Sequence, residues 1–131
     1  MGEAGSAIRV LHVDDDLPYA ETTAAFLERK RAEFDIETAT SASEGLRLLE
    51  TESVDCIVSD YEMPGENGIE FLESVREDYP DLPFILYTGR GSEAVAGDAI
   101  SAGVTDYLQK TSDTSHYALL ANRIVNAVKQ Y

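Results

Sequence analysis

Ile57-Val58-Ser59-Asp60-Tyr61-Glu62-Met63-Pro64-Gly65 is the stretch that decides the fold. The short apolar run Cys56 to Val58 ends in a carboxylate, and the chain then leaves through a Pro-Gly turn, as a buried strand emptying into a surface loop does. Asp60 is therefore expected at the mouth of a strand. Three other segments repeat the pattern: Val10 to Val13 before Asp14, Asp15 and Asp16; Phe84 to Tyr87 before Thr88; and Tyr107 to Gln109 before Lys110. If these runs are parallel strands of one sheet, their C-terminal ends open on one edge, where open α/β sheets bind ligands. Acids, a hydroxyl and an amine then converge on one place.

Around these four strands the remaining pattern is helical. Ile8 to Val13 is followed by Asp16 as an N-cap and Pro18 in the first turn of a helix to about Ala32, with Ala24, Leu27 and Arg31 on one face. Phe34 to Thr38 alternates as a strand near the sheet edge, and Ser41-Ala42-Ser43-Glu44 has capping-box spacing before a helix ending near Thr51. Asn67-Gly68 opens a third helix with Ile69, Leu72 and Val75 at helical spacing, closed by Tyr79-Pro80. Ser92 caps a fourth, which Gly103 stops, and Leu120, Ile124, Ala127 and Val128 form a stripe on the fifth. Five strands alternating with five helices predict a three-layer α/β sandwich on a parallel sheet. His12 is expected to pack in the first strand and His116 to lie exposed near a helix start.

The chain has 131 residues, which suits a single domain. Met1 to Ala7 is small and polar and is expected to be a disordered lead into a domain over 8–131. The final helix reaches Tyr131 without a stop signal, so the chain is expected to be part of something longer. With 25 acidic and 10 basic residues the formal charge is −15, and Lys30, Lys110 and Lys129 are the only lysines. No basic patch is present to bind DNA or RNA directly. Such an acid excess is like that of proteins from salt-accumulating organisms, for which stability rises between low and molar salt. Cys56 is the single cysteine, so an intrachain disulfide is impossible and the thiol is expected in the core. With neither a signal-peptide pattern nor a run long enough to cross a bilayer, a cytoplasmic location is expected and no membrane partner.

Neighbouring strands lie about 4.8 Å apart, so acids at adjacent strand ends can share a cation. In the strand order 2-1-3-4-5 the first and third strands are neighbours and Asp15 can share a metal with Asp60; in the other doubly wound order a strand lies between them. Clustered carboxylates repel and recruit a cation, and Mg²⁺ suits one or two carboxylates plus a phosphate. Lys110, roughly 10 Å from Asp60 across the sheet edge, has the length to span that gap. A carboxylate nucleophile, a divalent metal, a hydroxyl and an ammonium together suit phosphoryl transfer to aspartate.

This constellation resembles the receiver domain of two-component response regulators. The matching pieces are Val13-Asp14-Asp15, Asp60 with Met63-Pro64-Gly65-Glu66-Asn67-Gly68, Thr88-Gly89, and Asp106-Tyr107-Leu108-Gln109-Lys110. The resemblance implies a flavodoxin-like (βα)₅ fold with strand order 2-1-3-4-5. It further implies that Asp60 accepts phosphoryl from the phosphohistidine of a sensor histidine kinase or histidine phosphotransferase. Asp15, Asp60 and the Glu62 carbonyl are then Mg²⁺ ligands, with Asp14 acting mainly through water. Thr88 and Lys110 hold phosphoryl oxygens, and Tyr107 is the aromatic that turns inward when Thr88 moves, altering the face of the fourth and fifth helices and fifth strand. Such a domain is no ordinary enzyme, although it catalyses its own Mg²⁺-dependent phosphorylation and dephosphorylation.

The run from Gly91-Ser92-Glu93 to Lys110 is similar to receivers heading multidomain sensory kinases of haloarchaea, so a covalently linked output or sensor domain, or a homodimer, is implied. Two positions depart from the family pattern. Thr111 replaces the usual proline after the lysine, which predicts a trans peptide there, and Glu62 adds negative charge beside the entering phosphoryl group. Other functions lack their signatures: the P-loop motif is absent, a flavin phosphate loop does not suit three aspartates, and nothing builds the substrate cap of an aspartyl phosphatase, though Glu62 has the spacing of its general acid. The alternative function is a receiver-like interaction module that is not phosphorylated.

Overall fold

A computed structural model describes residues 7–89, 93–110 and 115–130. The chain alternates β1 (Ile8–Val13), α1 (Leu17–Lys30), β2 (Phe34–Ala39), α2 (Ala42–Thr51), β3 (Cys56–Ser59), α3 (Gly68–Asp78), β4 (Phe84–Thr88), α4 (Glu93–Ala102), β5 (Asp106–Gln109) and α5 (Ser115–Gln130). All four strand pairings are parallel, in the order β2-β1-β3-β4-β5. This is the flavodoxin-like order, with β2 on the edge as its polar alternation predicts. The expected Ser92 cap, the Lys110–Thr111 peptide bond and residues 1–6 lie outside the described residues.

Side-chain alternation along the strands divides the core in two. Leu11, Val13, Ile57, Phe84 and Leu86 pack under α2, α3 and α4, whereas Val10, Val58, Ile85, Tyr87 and Leu108 pack under α1 and α5. The central strands β3 and β4 are buried throughout, as continuous apolar runs between two helical layers must be. Cys56 is fully buried, and burial pushes its thiol pKa well above the usual range, so it is an inert core group.

Most helix boundaries follow from local chemistry. The Asp16 carboxylate accepts from Tyr19 N at the start of α1, with Pro18 in the first turn. Asn67 and Glu70 form a reciprocal capping box on α3. Gly103, at φ +93°, ends α4 in a conformation that a side chain disfavours. Three expectations need correction. The buried face of α1 is Ala20, Thr23 and Leu27, and the helix stops at Lys30 because Arg31 is already extended. Ser41 caps α2, but Glu44 turns back to the amide and hydroxyl of Thr40 instead of completing the box with Ser41. His116 is buried at 8% exposure, its ring 5.8 Å from Tyr87 and 4.1 Å from Tyr117, because the first turn of α5 leans over β4.

His12 is in the core as expected, 1% exposed, with neither ring nitrogen hydrogen-bonded among the described residues. Burial, reinforced by the Lys110 charge and opposed by Asp60, lowers its pKa from 6.5 to about 4. A depressed histidine pKa means that the unfolded chain binds the proton first. Its contribution is therefore present above pH 6.5 and lost as pH falls toward 4. His12→Leu removes two unpartnered nitrogens and is expected to stabilise the fold by about 1–2 kcal/mol at pH 7. Its advantage over the parent should widen by about 3 kcal/mol as pH approaches 4. Urea melts at several pH values check this; parallel curves for the two proteins would contradict it.

Candidate functional site: an acid cleft with one lysine

The C-terminal ends of β1, β3 and β5 meet at a cleft of about 840 Å³ whose walls include Asp14, Asp15, Tyr19, Asp60, Glu62 and Lys110. Register explains the meeting. Val13 pairs with Ser59, so the chain's next residues, Asp14 and Asp60, emerge side by side. Backbone bonds fix both: Asp60 N donates to Val13 O at 2.9 Å, and Asp14 N to Ala39 O at 2.9 Å. Asp14, Asp15 and Asp60 each present an oxygen within 4.8 Å of the others.

Their surroundings differ. Asp14 is buried at 1% exposure, and its carboxylate accepts from Asp16 N at 2.9 Å and from Lys110 Nζ at 3.0 Å. Asp15 is exposed and Asp60 half-buried, with Asp60 Oδ1 accepting from Tyr61 N at 2.7 Å and Oδ2 lying 3.5 Å from Lys110 Nζ. Three carboxylates face one ammonium, which leaves unbalanced negative charge on oxygen donors alone. A hard divalent cation suits that donor set. Burial disfavours the Lys110 ammonium, but the charges of Asp14 and Asp60 outweigh it and leave the pKa above the ordinary lysine value.

Glu62 is exposed and lines the same cleft. Thr88 ends β4 and is buried at 1%, beside the cleft and not among the residues that line it. Its carbonyl accepts from Lys110 N at 2.9 Å, so the two residues are tied through the main chain. Tyr107 packs half-buried against the α3/α4 side of the core, and its enclosed hydroxyl has no hydrogen-bond partner among the described residues. Arg123 Nη1 bonds the Asp106 carboxylate at 2.6 Å, tying α5 to the strand that carries Tyr107.

The loop after Asp60 is closed by Gly68 N donating to Tyr61 O at 2.7 Å. A Cβ on Gly68 would overlap the Asp60 carbonyl oxygen and come within 2.9 Å of Leu86 Cδ1. Gly68→Ala must therefore push the backbone of Asp60, at a cost of about 1–3 kcal/mol. A lowered denaturation midpoint, together with shifted amide resonances at Asp60 and Tyr61, is the expected result.

Residues 10–121 match the family model of the response regulator receiver domain. The chain belongs to that family. As a receiver domain it has a phosphoacceptor signalling role in two-component systems, whose receivers interact with histidine kinases or phosphotransferases. It is 36% identical over 121 residues to the photosynthetic apparatus regulatory protein RegA of Cereibacter sphaeroides, covering 91% of this chain and 65% of RegA. It is 31% identical over 108 residues to the CAI-1 autoinducer sensor kinase/phosphatase CqsS of Vibrio cholerae, covering 80% of this chain and 16% of that protein. Among solved structures, a CheY-like receiver domain protein from Methanospirillum hungatei superposes with a TM-score of 0.85 at 28% identity, covering 95% of this chain and 96% of the other. An unphosphorylated interaction module draws no support from these relatives.

This receiver domain thus spans less than two thirds of RegA and a small part of CqsS, both of which continue beyond it. Among the described residues no helix is long and apolar enough to cross a membrane. Two residues beside Lys110 escaped the sequence reading: Tyr19, which lines the cleft with its ring under the Lys110 ammonium, and Tyr87, buried behind it, whose hydroxyl is 3.1 Å from that of Tyr19. The alternation of β4 places Tyr87 on the α1/α5 side, but nothing in the sequence announces the pairing.

Proposed function

We propose that Asp60 is the phosphoacceptor, and that Lys110 and Thr88 hold oxygens of the transferred phosphoryl group. The observation that carries this reading is the half-buried Asp60 carboxylate, beside Asp14 and Asp15 and 3.5 Å from the Lys110 ammonium. An Asp60 oxygen attacks phosphorus while the phosphorus–nitrogen bond of a phosphohistidine breaks. The electron pair of that bond leaves with the imidazole of a sensor histidine kinase or histidine phosphotransferase. Lys110, with its charge retained at neutral pH, offsets the negative charge brought beside Asp60. Asp15, Asp60 and the Glu62 carbonyl would hold Mg²⁺, with Asp14 acting mainly through water. Bound there, Mg²⁺ would neutralise phosphoryl oxygens as a Lewis acid.

Phosphorylation draws Thr88 toward the new anion and favours an inward Tyr107, changing the surface of α4, β5 and α5. The shared main-chain bond between Thr88 and Lys110 and the enclosed Tyr107 hydroxyl suit such a coupling. A linked output or sensor domain, or a second copy of the chain, would receive that change. Incubation with acetyl phosphate and Mg²⁺ tests the chemistry. Uptake of one phosphoryl group, labile to hydroxylamine and suppressed by a chelator, is expected; a hydroxylamine-stable label, or none, defeats the reading.

A further inference from the structure

The Lys110 ammonium has two kinds of neighbour. On one side stand the carboxylates of Asp14, at 3.0 Å, and Asp60, at 3.5 Å. On the other lie two aromatic rings, with centroids 4.3 Å away for Tyr19 and 5.4 Å away for Tyr87. Both distances fall inside the range of about 6 Å over which a ring face attracts a cation. The rings are also fixed to each other, because the Tyr19 and Tyr87 hydroxyls are 3.1 Å apart.

We propose that Tyr19 and Tyr87 form an aromatic seat that positions the Lys110 ammonium for phosphoryl transfer to Asp60. The proposal rests on the reading of Asp60 and Lys110 given above and adds two positioning residues to it. A lysine side chain is a compact charge on a flexible four-carbon stem, so carboxylates alone leave its head free to follow whichever oxygen is most negative. That pull changes when charge in the cleft changes. A cation that neutralises the carboxylates weakens their hold on the ammonium, whereas the uncharged rings keep theirs. The seat is thus the restraint that survives loading of the cleft.

Several observations suit the rings to this role. Tyr87 is 1% exposed in the centre of the sheet and is wedged against His116 at 5.8 Å and His12 at 6.5 Å, so it cannot swing away cheaply. Tyr19 stands in the first turn of α1, which Asp16 caps through Tyr19's own amide. Burial raises the pKa of both hydroxyls. Both stay protonated around neutral pH, and the ammonium meets neutral ring faces.

The test uses the whole chain and two variants. Tyr19→Leu keeps apolar bulk and removes the ring; Tyr19→Phe keeps the ring and removes the hydroxyl. With acetyl phosphate as donor and Mg²⁺ present, Tyr19→Leu is expected to lower kcat about tenfold with KM little changed, and Tyr19→Phe to recover most of that loss. A second readout needs no turnover: the Lys110 ammonium protons, lying over a ring, should resonate upfield of ordinary lysine in ¹⁵N-correlated spectra of the parent and the Phe variant. That displacement should vanish in Tyr19→Leu. If Tyr19→Leu does not fold, Tyr19→Met replaces it.

A Leu variant with the parent's kcat and an unchanged ammonium signal overturns the seat, as does a Phe variant no better than Leu. A parent chain that takes up no phosphoryl group contradicts the assignment of Asp60 instead, and the ammonium spectrum then decides the seat alone.

Discussion

Asp60→Asn is expected to reduce phosphoryl uptake from acetyl phosphate to background, a loss on the order of a thousandfold or more. The substitution is close to isosteric, and the amide oxygen can still accept from Tyr61 N, as Asp60 Oδ1 does at 2.7 Å. What disappears is the anionic nucleophile and one of three carboxylates whose oxygens lie within 4.8 Å. The same change therefore has an opposite effect on stability. Without divalent cations the variant should melt higher than the parent, since like charges no longer crowd one cleft. With Mg²⁺ it should gain less, because ligand-linked stabilisation follows affinity. Phosphate labelling and paired melts with and without chelator measure both. A variant that labels at the parent's rate removes Asp60 from the scheme.

Lys110→Met is the second large effect. Its removal leaves the Asp14 carboxylate, 1% exposed, with Asp16 N as its remaining donor among the described residues. Breaking a buried pair usually costs about 3–5 kcal/mol; about 2–3 is expected here because Asp14 keeps that amide and the cleft opens to water. Divalent cations should recover part of the loss. Phosphorylation should slow about 10²–10³-fold, the effect of removing one charged donor from a developing anion. The pH dependence has a defined sign. Because the folded-state pKa is raised above 10.5, the lysine's contribution is fully present below that value and fades only as pH rises through the folded pKa. The stability gap between parent and variant should be flat from neutral pH to about 10. A gap that closes near neutral pH contradicts the ion pair as its origin.

How much of this was legible in the sequence depends on the range of the cause. The runs ending at Asp14, Asp60 and Lys110 were legible because buried parallel strands are apolar throughout and change character where they meet solvent. Asp16, Asn67 and Gly103 were legible because capping is settled within a few residues. Glu44 bonded Thr40 instead of Ser41 because the backbone angle at the helix entry, absent from the pattern, decides which amide it reaches. The sequence suggests an exposed His116 because a histidine beside Ser115 at a helix start has no local reason to be covered; the cover comes from Tyr87 on another element. Tyr19 beneath Lys110 is of the same kind, since helix, strand and loop must all be in place before ring and amine meet. The acid triplet and its lysine could be assigned to one edge by strand parity. The aromatic side of that lysine could not.

The buried position of His12 has a practical consequence. An imidazole that stays neutral down to about pH 4 holds its ionisation state constant through any experiment near neutrality, yet it lies close enough to Asp60 and Lys110 to feel their charges. Its carbon-bound protons are therefore a native spectator probe. Their chemical shifts should follow loading and unloading of the acceptor in real time, in unlabelled protein.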